Sequence, residues 1–284
     1  MDASEHPQPS GKLRVCEVMA KSILNPSQIS GVAYAINPYV GCQHGCVYCY
    51  ARFMSRHTGH MGEEWGSFVD VKINAARVLQ QQLRQRRQAV QGTVMFSSVT
   101  DAYQPLERRF GLTRSCLELL RNYQVPVSIL TKSDLVLRDA DLLGEFNEAD
   151  VGMTIITLDD RVQRVFEAQA PPVSRRLAAL AELAGRGLPI WAFVGPIIPY
   201  LSAPTLDELI RRLGETGVSH ILFDRLNLKS GNWPVIRRAL QTSFADQYAA
   251  IEAALKPGNS YYLELREQLE DVCQRHGVEF EILF

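Results

Sequence analysis

Hydrophobic and polar positions along the chain form two alternating patterns. Short runs of β-branched and other apolar residues are followed by loops, and then by segments whose apolar residues have helical spacing. The runs predict strands at residues 32–36, 93–98, 125–131, 151–157, 189–197 and 220–226. The helical segments between them cover residues 74–87, 112–123, 134–146, 174–186 and 205–215.

Strand and helix patterns in this order predict an α/β fold. Six β/α units in succession imply a parallel sheet with right-handed crossover connections. The periodicity fits a closed barrel and an open sheet equally well. In either geometry ligands bind at the carboxyl ends of the strands, so we expect the chemistry directly after each strand.

The β/α pattern occupies the middle of the chain. Residues 1–30 are predicted as an irregular N-terminal extension containing proline and serine, and residues 31–230 carry the six units. Residues 231–284 are predicted as a helical C-terminal extension, with helices at 245–255 and 261–276 and a last strand at 278–284. No second domain with its own core is predicted.

Composition and charge exclude several classes of protein. Of the 284 residues, 46% are hydrophobic and 21% are charged, as in an ordinary globular protein. Lysine and arginine number 30 against 31 aspartate and glutamate, so the chain lacks the overall positive charge of non-specific nucleic-acid binders. The longest apolar segment, residues 188–201, is interrupted by proline and glycine, and the N-terminal residues have no apolar signal core. We therefore expect a cytoplasmic protein without a membrane span.

Three of the six cysteines lie within eight positions, on the loop after the first predicted strand. Cys42, Cys46 and Cys49 have the spacing CxxxCxxC, which is not typical of a disulfide framework. Three thiolates on one short loop can hold three irons of a four-iron, four-sulfur cluster and leave the fourth iron open to another ligand. Gly41 and Gly45 allow the tight backbone that such a loop needs.

Two other interpretations of this loop stay open. A structural zinc site needs a fourth protein ligand, and the nearest candidate, His44, lies between the first two cysteines, where closing a tetrahedron with both is cramped. Alternatively, the three cysteines are buried thiols that bind no metal. The spacing, on a glycine-flanked loop after a first strand, favours the cluster.

The spacing CxxxCxxC, with Tyr48 immediately before the third cysteine, resembles the motif of the radical S-adenosylmethionine (SAM) superfamily. The segment NPYVGCQHGCVYCYAR, the TKS after the third predicted strand and the FEA stretch followed by arginines resemble its spore photoproduct lyase-like branch, often labelled DNA repair photolyases. The resemblance covers about residues 31–200. It implies a partial (β/α)6 barrel of the radical SAM type, a [4Fe-4S] cluster on the three cysteines, SAM on the open iron, and an external electron donor of flavodoxin or ferredoxin type.

The same resemblance implies that SAM contacts residues at the ends of the first two strands. Tyr48 matches an aromatic position that meets the adenine, although simple core packing explains a ring there equally well. Ser98, Thr100 and Asp101 follow the second strand, where the family places polar groups against the SAM amino group. Asp101 is favoured because a carboxylate can meet an ammonium directly.

Two further contacts are implied at the next strands. Lys132 matches a lysine that contacts the SAM carboxylate, and a lysine after a buried strand needs an anionic partner. The ribose contact falls on Thr154 or Thr157, and strand alternation allows at most one of them to point inward. Glu167 in the FEA stretch could pair with Arg176.

One position departs from the family pattern in a way that affects the reaction. Spore photoproduct lyase carries a hydrogen-donating cysteine near the end of strand two, and alignment through Asp101 places Ser98 there. A serine hydroxyl is a far poorer hydrogen donor to carbon radicals than a thiol. Cys116 lies further on, within a predicted helix, and is interpreted as a buried small residue.

Several functions therefore remain open within this class and outside it. The resemblance implies an enzyme that cleaves SAM reductively to start hydrogen abstraction from an unidentified substrate, which could be a peptide, a tRNA or a small molecule. One alternative is a DNA photoproduct lyase, which needs a basic groove. The other is a non-catalytic iron–sulfur protein for electron transfer or redox sensing. Residues 227–233 after the sixth strand form a candidate substrate loop.

Overall fold

The computed structural model describes residues 13–86, 89–228 and 231–284. Residues 1–12, and positions 87, 229 and 230 from the helix and loop predictions above, lie outside the described residues. The strands within them are β1 (Arg14–Val18), β2 (Leu24–Pro26), β3 (Tyr34–Ile36), β4 (Tyr39–Val40), β5 (Phe68–Lys72), β6 (Val94–Phe96), β7 (Val127–Thr131), β8 (Ala149–Thr154), β9 (Ile190–Ile197), β10 (Ile221–Arg225) and β11 (Phe280–Ile282).

Helices cover most of the segments between these strands. Three are 3-10 helices, at Tyr50–Arg56, Asp134–Asp139 and Ala203–Thr205, counted over the same described ranges. The α-helices are α1 (Ala75–Gln85), α2 (Glu107–Phe110), α3 (Leu112–Asn122), α4 (Ala140–Leu143), α5 (Asp160–Phe166), α6 (Val173–Gly185), α7 (Leu206–Thr216), α8 (Trp233–Ser243), α9 (Ala245–Ala254) and α10 (Tyr261–His276).

The main sheet confirms the predicted α/β fold. Its strand order is β2-β3-β6-β7-β8-β9-β10-β11, and the six predicted strands are the six consecutive members from β3 to β10. They pair in parallel, β11 extends one edge in parallel, and β2 closes the other edge antiparallel to β3. In the described part of the chain the edge strands β2 and β11 do not pair with each other, so the sheet is the open, partial form of a barrel.

The core forms where helices cover this sheet. Strand β7 alternates buried and partly buried residues, with Val127 and Ile129 among the buried ones. Helix α3 buries Leu117 and Leu120 in the same cluster, and α1, α6 and α7 contribute their apolar faces in the same way. Burial of one apolar face per helix is the main force that holds the crossover helices against the strands.

The structure corrects some sequence-based boundaries. Residues 13–30 are not wholly irregular, because they contain β1 and β2. The helix predicted at 134–146 is a 3-10 helix followed by the short α4. The second predicted strand ends at Phe96 because Ser97 has a φ of 78°, outside the extended region.

A second, small sheet supports the cysteine loop. Its strand order is β1-β5-β4, with β1 parallel and β4 antiparallel to β5. Arg14 in β1 donates a hydrogen bond to Glu63 over 2.6 Å, and His60 stacks on Phe68 in β5 with ring centroids 3.9 Å apart. The strands on both sides of the loop are thereby fixed to each other. Among the described helices none combines the length and apolar character needed to cross a membrane.

Candidate functional site

The three clustered cysteines line one open cleft of about 910 Å³. They lie between β4 and the 3-10 helix that begins at Tyr50, with Cys42 and Cys46 buried and Cys49 partly buried. Burial raises the pKa of all three thiols, to about 12 for Cys46. A positive centre is therefore needed to hold them as thiolates at neutral pH, and iron supplies one.

The donor set fits a cluster better than one metal ion. In the described residues no group of three or more His, Cys, Asp or Glu side chains converges closely enough for a single ion. In a four-iron cluster each thiolate binds a different iron, so the sulfurs lie further apart than the ligands of one ion. The indole Nε1 of Trp65, buried at the same cleft, has no hydrogen-bond partner in the described structure, and the sulfur of a bound cluster can supply one.

The cleft opens at the carboxyl ends of the parallel strands, as the sequence predicts. Residues after β6 and β7, the end of β8, and the ends of β9 and β10 all contribute to its wall. Of the seven predicted SAM contacts, six line it: Tyr48, Ser98, Thr100, Asp101, Lys132 and Thr154.

Thr157, the seventh, does not belong to the lining. Thr157 lies beyond the end of β8. Its hydroxyl oxygen forms a hydrogen bond with the hydroxyl of Thr205 at 3.0 Å and accepts another from the Asp159 N–H at 3.0 Å. The inward position of the two threonines is therefore Thr154, which is 3% exposed. Thr157 stabilises the turn that leads into α5.

Tyr48 lines the cleft and is held there by hydrogen bonds. The ring lines the cleft, but the hydroxyl donates a hydrogen bond to buried Glu167, and the carbonyl accepts one from Asn232 Nδ2 at 2.8 Å. Lys132 Nζ lies 5.7 Å from the centre of the ring. One face of the ring is thus presented to a cation and its edge is fixed by a carboxylate.

Ser98 and Thr100 tie the loop after β6 to the cysteine loop. Asn37 Nδ2 donates to Ser98 Oγ at 2.9 Å, and Thr100 Oγ1 donates to the Gly41 carbonyl at 2.6 Å. Tyr50, which follows Cys49 in the chain, donates a hydrogen bond from its hydroxyl to the Ser98 carbonyl. Both hydroxyl groups therefore position the loop in addition to lining the cleft.

Asp101 is the centre of a buried polar network. Its carboxylate accepts from Thr131 Oγ1 at 2.7 Å and from the Lys132 N–H at 2.8 Å, and His44 Nε2 lies 3.3 Å from Oδ2. Burial alone would raise the pKa of Asp101, but the charge of His44 and these hydrogen bonds hold it well below its usual range. An ionised carboxylate at this position can attract a substrate ammonium.

Lys132 supplies positive charge to the cleft. Burial lowers the pKa of its ammonium, but the negative groups of Cys46 and Glu167 outweigh this effect and raise the pKa above its ordinary value. The carboxylates of Glu167 and Asp101 contribute negative charge of the kind that the sequence leads us to expect near this lysine. Lys132 remains charged at neutral pH and faces the cavity.

Glu167 and Arg176 form the ion pair that the sequence allowed. Arg176 Nη1 lies 2.6 Å from Glu167 Oε2, and neither side chain is exposed. The same Nη1 donates to the Thr154 carbonyl at 3.0 Å, and Arg176 Nε donates to the Pro171 carbonyl at 2.8 Å. The pair therefore links the end of β8 to Tyr48 beside the cysteines.

Sequence reasoning missed much of the opposite wall. Trp65, Phe193, Pro196, Asp224 and Arg225 also line the cleft. No spacing joins them, since they come from three separate segments, but the last four lie in two predicted strands, and Pro196, Asp224 and Arg225 lie near the carboxyl ends, where ligands were expected. From the candidate loop 227–233, Asn227 reaches the lining.

A parallel β/α sheet that opens a cysteine-lined cleft at the carboxyl ends of its strands defines the class of protein. Residues 36–213 match the radical SAM superfamily, and the chain belongs to that family. Membership implies SAM and a [4Fe-4S] cluster as cofactors and supports an enzyme. The predicted family is thereby confirmed.

Relatives and solved structures agree with this assignment. The chain is 36% identical over 85% of its length to an uncharacterized protein of Methanocaldococcus jannaschii, covering 88% of that protein. It is 32% identical over 75% of its length to an uncharacterized protein of Mycobacterium tuberculosis, covering 65% of it.

Among solved structures, a spore photoproduct lyase mutant superposes with a TM-score of 0.70 at 16% identity, over 95% of this chain and 82% of that one. Another mutant of that lyase, with bound AdoMet and dinucleoside spore photoproduct, gives a TM-score of 0.68 at 16% identity over 96% and 82%. At these identities the likeness concerns the fold.

Proposed function

We propose that the chain binds a [4Fe-4S] cluster through Cys42, Cys46 and Cys49 and binds SAM in the adjoining cleft, where SAM is cleaved reductively to begin a hydrogen abstraction. The observation that carries this proposal is the single cleft shared by the three thiols and six of the seven expected SAM-contacting residues. When bound, the reduced cluster supplies the electron that splits the SAM sulfonium into methionine and a deoxyadenosyl radical.

The charges in the cleft fit a zwitterionic ligand. Lys132 provides an ammonium that can pair with the SAM carboxylate, and Asp101 provides an ionised carboxylate on the neighbouring strand end. The backbone N–H of Lys132 donates to Asp101 over 2.8 Å, so the two strand ends that carry these charges are tied together. The amino acid portion of SAM carries the complementary pair of charges.

The apolar part of the wall serves the radical step. Val99, Leu130, Phe193 and Pro196 line the cleft together with the Trp65 ring. These groups exclude water and hold the nucleoside against the abstraction site, which protects a reactive intermediate from side reactions.

The substrate is proposed to enter on the side formed by β10. Asp224 and Arg225 line the cleft there, with Arg225 exposed to solvent. A DNA photoproduct lyase activity is disfavoured, because in the described residues no cysteine other than the three of the motif lines the cleft. Ser98, which the resemblance places at the hydrogen-donor position, lines the cleft and carries no thiol.

An anaerobic assay tests the proposal. The chain is reconstituted with iron and sulfide, SAM and dithionite are added, and deoxyadenosine and methionine are quantified with and without UV-irradiated DNA. We expect both products in equal amounts from the wild type. Replacement of dithionite by reduced flavodoxin or ferredoxin tests the proposed type of electron donor.

Two cysteine variants give the matched comparison. Cys46→Ala removes a cluster thiol, whereas Cys116→Ala removes a fully buried thiol of α3 outside the cleft. We expect Cys46→Ala to abolish deoxyadenosine and Cys116→Ala to retain it. An intact cluster without deoxyadenosine would favour an electron-transfer protein, and repair of irradiated DNA would restore the lyase.

A further inference from the structure

The side chain of Trp65 packs against the cysteine loop at the edge of the cleft. It is 6% exposed and belongs to an apolar cluster with Cys42, Ala51, Phe68 and Cys49. Its ring meets that of Phe68 edge to face, with centroids 6.0 Å apart and an interplanar angle of 85°. The indole is therefore held in one orientation by packing on both sides.

The polar atom of this indole has no conventional partner. Nε1 is buried and has no hydrogen-bond partner, sulfur included, within the described structure. The indole packs with Cys42 and Cys49 in this apolar cluster and lines the cleft beside them, so sulfur bound at this loop is the acceptor that its surroundings offer. A neutral thiol is a weak acceptor and a thiolate a much stronger one, so the N–H suits a deprotonated, metal-bound sulfur.

The backbone also fixes Trp65 against the loop. Gly66 has a φ of +102°, and a Cβ built on it would lie 2.8 Å from the Cα of Gly45, between Cys42 and Cys46. The main chain at 65–66 therefore touches the main chain of the cysteine loop directly. Movement of Trp65 away from Cys49 would require separation of two backbones.

We infer that Trp65 is a positioning residue for the cluster: its indole N–H donates to a sulfur of the bound cluster or of its cysteine ligands and raises the reduction potential of that cluster. Hydrogen bonds to ligating sulfurs draw electron density from the iron and stabilise the extra negative charge of the reduced state. This inference rests on the proposed function. Trp65 would then help to set the reduction potential of the cluster, and with it the ease with which the cluster takes up the electron used in SAM cleavage.

A pair of tryptophan variants tests it. Trp65→Phe keeps an aromatic ring and removes the N–H. Trp191→Phe is the matched control, because Trp191 is also buried but donates its N–H to Asp150 over 2.6 Å, in the body of the sheet. Iron and sulfide content is measured first, and the potential is then found by EPR-monitored titration of the reconstituted protein.

We expect Trp65→Phe to take up the cluster and to shift its potential to more negative values, while Trp191→Phe has the wild-type potential. Pulsed EPR in D₂O is expected to lose one exchangeable coupling near the cluster in Trp65→Phe alone. If Trp65→Phe does not fold, benzothienylalanine at position 65 removes the N–H and keeps the fused rings, with the same expected shift.

Two results would overturn the inference while leaving the proposed function intact. One is an unchanged potential in a fully loaded Trp65→Phe or benzothienylalanine protein. The other is an equal shift in Trp191→Phe. A wild-type chain that takes up no cluster would instead overturn the proposed function and this inference together.

Discussion

Arg176 Nη1 lies 2.6 Å from Glu167 Oε2, and neither side chain has any exposed surface. Glu167 also accepts the hydroxyl of Tyr48, and Arg176 also donates to the Thr154 carbonyl. The buried ion pair thus joins three parts of the fold. Arg176 in α6 binds the end of β8, and Glu167 binds Tyr48 in the cysteine loop. Loss of that carboxylate leaves a buried cation without a counter-charge.

Substitution of Glu167 is therefore expected to destabilise the fold strongly. Burial would raise the pKa of Glu167, but the charge of Arg176 outweighs burial and lowers it. We expect Glu167→Gln to lower the free energy of unfolding by about 3 to 5 kcal/mol at neutral pH, as for other broken buried pairs. Urea denaturation followed by circular dichroism measures it.

The same ion pair gives a pH dependence of defined sign. Because the folded-state pKa of Glu167 is lowered, its stabilisation is present above the ordinary glutamate pKa and is lost as the pH falls through the lowered value. The difference between wild type and Glu167→Gln should shrink once the pH falls below about 4. Glu182→Gln, in an exposed pair with Arg186, is the control and should cost less than about 1 kcal/mol. Equal losses in both variants would contradict the role of burial.

Lys132 is expected to control SAM affinity. Its removal deletes the cation of the cleft, and a hydrogen bond to a charged group contributes about 1.5 to 3 kcal/mol, or roughly 10- to 100-fold in Kd. Equilibrium dialysis of SAM against the reconstituted protein measures this change in Lys132→Ala. Lys256→Ala removes an exposed lysine outside the cleft lining and should bind SAM as the wild type does. Unchanged affinity in Lys132→Ala would show that the carboxylate site lies elsewhere.

Substitution by valine should affect different properties at the two threonines near the end of β8. We expect it to weaken SAM binding at Thr154 and to lower stability at Thr157. Thr154→Val removes a cleft hydroxyl, and we expect about fivefold weaker SAM binding with little loss of stability. Thr157→Val removes one of the partners of the Thr205 hydroxyl and leaves the Asp159 N–H without the acceptor it has here, so we expect lower stability by about 1 to 3 kcal/mol and unchanged affinity. Titration calorimetry and thermal unfolding separate the two effects, and an exchange of the two outcomes would reverse the assignment.

Gly66 is expected to be needed for cluster retention. An alanine at this position adds a Cβ 2.8 Å from the Gly45 Cα, which forces the two backbones apart. We expect Gly66→Ala to hold less iron per chain after gel filtration. Gly59→Ala is the control, since Gly59 also has a positive φ, +78°, but its Cβ would meet nothing within 4 Å. Equal iron loss in both variants would attribute the effect to backbone strain alone.

Much of the fold could be predicted because its strands are buried by helices on a regular repeat. Strand β7, for example, has buried β-branched residues at alternate positions between two helical segments, and this pattern can be recognised in the sequence. Strands β1 and β2 escaped prediction because most of their residues are exposed or only partly buried and give no apolar pattern, and their pairing with β5 and β3 is a tertiary effect.

The residues of the candidate site also differ in whether a local sequence pattern marks them. The cysteines and Lys132 could be located because a local motif or a strand end marks each of them. Trp65 carries no such mark, since it reaches the cleft only when segments distant in sequence fold together, and Asp224 lies within a predicted strand rather than on the loop after it. Thr157 was ambiguous because the strand ends at Thr154, and alternation cannot be extended past a strand's end.

The antiparallel pairing of β4 with β5 gives the cysteine segment a modular character. Tyr39 pairs with Val71 and Val40 with Asp70, so the chain leaves the small sheet and returns to it at one place. Residues 41–67 between these anchors carry the three cysteines and Trp65. Insertions or deletions within residues 41–67 can change the surroundings of the cysteines without altering the register of the main sheet. Residues 39–72, grafted into another chain, would therefore carry the three cysteines together with strands β4 and β5.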